Sequence, residues 1–85
     1  VATKEKTLER VRNNRKGRRF QELRRLLERF GFVVSSKGGS HFSAIHLETG
    51  VETTLVNHPG DLPPGYAKRV VEAIDMVLEI QRQQE

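Results

Sequence analysis

Eighty-five residues with 35% hydrophobic content suffice for one small core, so a single domain spanning 1–85 is expected. Cysteine is absent, which excludes a disulfide framework and thiolate metal sites; apolar runs are short, so neither a signal peptide nor a membrane span is read and a cytoplasmic protein without a membrane partner is expected. The net charge of +4 is uneven, because residues 1–30 hold eleven Lys or Arg against four Glu whereas residues 31–85 hold four against seven acidic residues. That asymmetry points to a polyanion, nucleic acid before membrane, or to a solvated basic helix surface.

Lys4 to Asn13 carries helix-forming residues with only Leu8 and Val11 as an apolar pair at helical spacing, which predicts a short, lightly anchored helix ending at Asn13-Asn14. The connector Arg15-Lys16-Gly17-Arg18-Arg19 holds four cations in five residues. It reads as a set of phosphate contacts that position a strand without reading its sequence, or as a solvated linker.

Phe20, Leu23, Leu26, Leu27 and Phe30 line one face of a helix, with Gly31 as its C-terminal stop and Phe32 as the apolar residue that folds back after the cap. Phe32-Val33-Val34 then reads as a first strand, Lys37-Gly38-Gly39-Ser40-His41-Phe42 as a hairpin turn, and His41 to Leu47 as a second strand. Two adjacent glycines permit positive φ and close approach by a phosphate, with Lys37 and backbone N–H groups able to face the anion. A flexible turn followed by a surface histidine is the plainer reading of the same six residues.

Val51 to Val56 is the third strand, reached through Glu48-Thr49-Gly50. A three-residue loop would set His41 opposite Asn57 and a two-residue loop would set it opposite His58; either brings His41 and His58 to one sheet end. His46, five residues on, points to the other face and is expected to be partly exposed. Residues 57 to 65 hold all three prolines and form a structured loop, after which Ala67, Val70, Val71, Ile74, Val77 and Leu78 make a second apolar stripe that gives way to a polar tail from Gln81. The predicted fold is α+β: a three-stranded antiparallel sheet with helices on one face, preceded by a short N-terminal helix.

Three local patterns, Arg19-Phe20-Gln21-Glu22-Leu23 leading to Gly31-Phe32, Lys37-Gly38-Gly39-Ser40-His41, and Val56-Asn57-His58 before the last helix, together with the order of elements, resemble the HicA family of toxin ribonucleases. The resemblance covers residues 19 to 78 and divides the chain into a basic N-terminal extension, 1–18, and a HicA-like core, 19–80. It implies a fold similar to double-stranded RNA-binding domains, cleavage of messenger RNA independent of translation, His41 as the catalytic residue, and a HicB-type antitoxin as partner.

The residues suit that chemistry. RNA supplies its own nucleophile in the 2′-hydroxyl, so cleavage needs a base and charge stabilisation, with no cofactor or metal. Histidine, with an ordinary pKa of about 6.5, suits the first task. Lys37, the amides of Gly38 and Gly39 and the Ser40 hydroxyl suit the second, with His58, Arg15, Lys16, Arg18 and Arg19 as further RNA contacts. A non-catalytic RNA-binding module would use the same basic surface. Three scattered histidines without a carboxylate cluster make no coherent metal ligand set. Phe42 and Tyr66 are expected in the core, and five aromatics are too few for an obvious base-stacking platform.

Overall fold

The computed structural model describes residues 2–85. Along them run α1 (Lys4–Asn13), α2 (Phe20–Arg29), β1 (Val33–Gly38), β2 (His41–His46), β3 (Val51–Val56) and α3 (Pro64–Gln83), and the strands form one antiparallel sheet in the order β1-β2-β3. The fold is α+β, with the order α-β-β-β-α following the additional α1.

The most strongly amphipathic helix, α2, buries Phe20, Leu23, Leu26 and Leu27, each side chain contributing about 1.5–3 kcal/mol when fully removed from water. Its end is chemically specified. Gly31, at φ 92°, donates its N–H to the Glu28 carbonyl (3.0 Å), and Phe32 donates to the Leu27 carbonyl (3.0 Å), the paired bonds of a Schellman cap. Phe32 is thereby turned inward, 3% exposed, and the chain enters β1 directly.

Facing pairs in the ladder alternate between two sides of the sheet. Val34, Ala44, Val51 and Leu55 are buried on the side packed by α2 and α3, together with the buried α3 residues Ala67, Val70, Val71, Ile74 and Val77. The other side carries Val33, Ser35, His41, Ser43, Ile45, Glu52, Thr54 and Val56, of which Ser43 in the central strand alone is buried.

Several expectations need correction. The helix α1 is better anchored than its two apolar residues imply. Leu8 and Val11 are buried, Thr3 Oγ1 caps the N-terminus by accepting from Lys6 N–H (3.1 Å), and the Arg12 guanidinium forks onto Asp75 of α3 at 2.6 and 2.8 Å. That fork, aided by Glu9, holds Arg12 even more firmly protonated than an ordinary arginine. On α3 the buried stripe takes in Ala73 but leaves Leu78 40% exposed, and the helix continues to Gln83 because nothing in its polar end breaks it. Lys37 and Gly38 belong to β1 instead of the turn.

The β2–β3 register also differs from both alternatives. Residues 47 to 50 form a four-residue connection closed by Gly50 N–H on the His46 carbonyl (2.7 Å), so His46 faces Val51 and His41 faces Val56. Leu47 leaves the strand and is 73% exposed. His46 is not partly exposed but 6% exposed: its strand face is the covered one, its Nδ1 lies 2.9 Å from Thr49 Oγ1, and its ring meets Phe32 edge-on at 5.4 Å.

Candidate nucleic-acid interface

The β1–β2 hairpin reverses through two consecutive glycines in left-handed conformation, Gly38 at φ 114° and Gly39 at φ 57°. Ser36 Oγ accepts from Gly38 N–H (3.1 Å), and Ser36 faces Phe42 while Gly38 faces His41, so Lys37 is an extra residue bulged out of the ladder. The bulge has a direct consequence for His41. Its partner across the hairpin is a residue without a side chain, and no atom lies within 4 Å of where a Cβ would stand on Gly38 or Gly39. The imidazole is therefore exposed on the uncovered face, beside a cationic side chain and next to a backbone free for close approach.

Lys37 and His41 line a cleft of about 410 Å³ with Ser43, Thr54, Val56 and Tyr66. Position 43 shares the face of His41 two residues along β2, and Thr54 and Val56 are the ladder partners of Ser43 and His41. These neighbours were missed from the sequence. The signal that finds them is the period of two along β2 and β3, usable only once the register is known. Tyr66, expected in the core, packs against it but stays half-buried at the border of the cleft.

Ser40 caps the same end: its carbonyl accepts from Asn57 N–H (2.8 Å), extending the β2–β3 ladder by one pair. His58 lies beyond that pair, half-buried, with Nδ1 2.9 Å from the Pro59 carbonyl. Because a carbonyl only accepts, this hydrogen bond places a proton on Nδ1. His58 does not line the cleft of His41.

The basic connector divides into two kinds of cation. Arg18 donates to the carbonyls of Asn14 (2.8 Å) and Arg10 (3.1 Å) and to Glu22 (2.6 Å), and its side chain is only 14% exposed; it satisfies the C-terminal carbonyls of α1. Arg19 sits 3.5 Å from Asp61 in an exposed pair. Arg15 and Lys16 are exposed and line a groove with Pro64, the first residue of α3 and two residues from Tyr66. Among the described residues, no three His, Cys, Asp or Glu side chains are grouped to hold a metal ion, and no helix is long and apolar enough to cross a membrane.

A small sheet thus carries on its open face a histidine that faces a glycine across the hairpin. The family described as HicA toxin of bacterial toxin-antitoxin matches residues 20–76, more than half of the chain and all of the hairpin that carries His41. The chain belongs to the HicA toxin family. No curated protein and no solved structure matches it. As a HicA toxin it is the toxic member of a toxin–antitoxin system, in a family that acts generally as ribonucleases. The match starts at the first residue of α2, so α1 and the connector lie outside the matched residues.

Proposed function

We propose that this HicA toxin is an endoribonuclease that cleaves messenger RNA without a metal ion, with His41 as the general base. The observation that carries the reading is the exposed imidazole on the open sheet face, opposite a glycine and sharing a cleft with Lys37. His41 takes the proton of a ribose 2′-hydroxyl as the 2′-oxygen bonds to phosphorus. The bond to the 5′-oxygen breaks, the proton is passed to that departing oxygen, and a 2′,3′-cyclic phosphate and a 5′-hydroxyl end result. Positioned proton transfer of this kind contributes about 10²- to 10⁴-fold.

Lys37, the Gly39 amide and the Ser40 hydroxyl face the non-bridging oxygens, where negative charge grows during the step, while the Gly38 amide is already engaged by Ser36 Oγ. DNA is spared because it lacks the 2′-hydroxyl. Arg15 and Lys16, free of internal ion pairs among the described residues, hold the RNA backbone beyond the cleft, with Arg19 beside them and His58 at the sheet end. Arg18, already engaged with α1, contributes to the connector's shape first. The protein works in the cytoplasm and is silenced by a HicB-type antitoxin that covers the open face.

The test is incubation of the protein with a long unstructured RNA in a chelator, followed by end-group analysis. Fragments ending in 2′,3′-cyclic phosphate and 5′-hydroxyl are expected. Binding without cleavage would replace this reading with that of a non-catalytic RNA-binding module using the same surface.

A further inference from the structure

Tyr66 stands in the first turn of α3, half-buried, with its ring against the core and at the border of the cleft that holds His41 and Lys37. The Arg69 guanidinium lies over this ring, 5.4 Å from its centroid, within cation–π range, and Arg69 also lines the adjoining groove between β3 and α3. Of the other aromatics, Phe20, Phe30 and Phe32 are buried. Phe42 also borders the cleft, but its ring lies against Phe20 at 4.9 Å with Arg24 5.8 Å from its centroid. Tyr66 with Arg69 is thus the aromatic pair beside the exposed histidine that is not enclosed by other aromatic rings.

We propose that Tyr66 and Arg69 form a nucleobase subsite, in which a base next to the scissile phosphate stacks on the tyrosine ring and guanidinium while that phosphate lies against His41 and Lys37. This rests on the ribonuclease reading above and extends it to how the RNA is held. Single-stranded RNA is commonly held in this way, its unstacked bases lying on aromatic rings or arginine planes. Stacking tolerates any base, because every base has a π-face, so the subsite fixes the strand's position more than its sequence. Arg15 and Lys16, in the groove at Pro64, continue the path of the backbone past the start of α3.

The chain carries one tyrosine and no tryptophan, so its intrinsic emission reports on Tyr66 alone. The experiment titrates the His41→Ala protein with a ten-nucleotide single-stranded RNA and, separately, with inorganic polyphosphate, which brings charge without bases. RNA is expected to quench the emission and polyphosphate to leave it unchanged while competing for the protein. In the catalytically intact chain, Tyr66→Leu should raise KM about tenfold with kcat retained, and Tyr66→Phe should stay within about twofold of the parent, as expected for stacking by a ring. A merely structural tyrosine would shift Tm in the Leu variant without this split. RNA that binds with unaltered emission, and a Leu variant with unaltered KM, would overturn the subsite while leaving the ribonuclease reading in place. Failure of the protein to bind RNA at all would overturn both.

Discussion

Gly31 illustrates how one residue can be fixed by two independent constraints. Its φ of 92° is a conformation that a side chain disfavours, and a Cβ there would stand 3.2 Å from His46 Nε2 and 3.3 Å from Cδ2. Gly39 shares the first constraint, at φ 57°, but not the second, since nothing lies within 4 Å. Each alanine substitution should therefore lose about 1–3 kcal/mol to backbone strain, with Gly31→Ala the more damaging of the two. Urea denaturation of both variants, and of both again in a His46→Ala background, checks this. The excess cost at position 31 should shrink when the imidazole is removed; equal costs in both backgrounds would mean that the ring makes way freely. His46 also marks a limit of reading the sequence. Strand parity separates it correctly from His41, but parity cannot tell which face the helices cover, and that decides its burial.

At the scale of elements, helical periodicity made α2 and most of α3 legible, because their buried residues repeat along one face. The register of β2 against β3 was not legible: Leu47 has the composition of a strand residue, yet it belongs to the turn, and the length of that turn sets every facing pair. Nor could the anchoring of α1 be read, since the Arg12–Asp75 fork joins residues 63 positions apart. This pair is about a third to two fifths exposed, and solvent screening limits it to about 1 kcal/mol. Asp75→Ala should lower stability by that amount in thermal melts and speed amide exchange within α1 more than within α2. In the connector, replacing Arg15 and Lys16 together by glutamine should flatten the salt dependence of RNA binding, by about 0.7 in the log–log slope for each phosphate no longer neutralised. Arg18→Ala should instead destabilise the fold, because its guanidinium satisfies carbonyls at the end of α1.

At the scale of the whole molecule, the proposed function has RNA and a HicB-type antitoxin compete for the bare sheet face. Electrostatic complementarity would speed the antitoxin's arrival more than it would tighten its hold. Amide-exchange protection in the complex with a HicB-type antitoxin should concentrate at residues 37 to 42 and 56 to 60. Protection confined to the far end of α3 would require action at a distance from the site. The proposed catalytic residue was legible from the Gly-Gly-Ser-His run, whereas the cleft around it was not, because Ser43, Thr54 and Tyr66 meet only through register and chain reversal. The central claim is that His41 performs the chemistry, and its most direct test is the single-turnover rate of RNA cleavage by His41→Ala beside the unaltered chain. An exposed side chain at a strand end leaves no core cavity when removed, so the variant should melt within about 0.5 kcal/mol of the parent. Its cleavage rate should fall about 10²- to 10⁴-fold. A folded variant that cleaves at the parent rate would contradict the assignment.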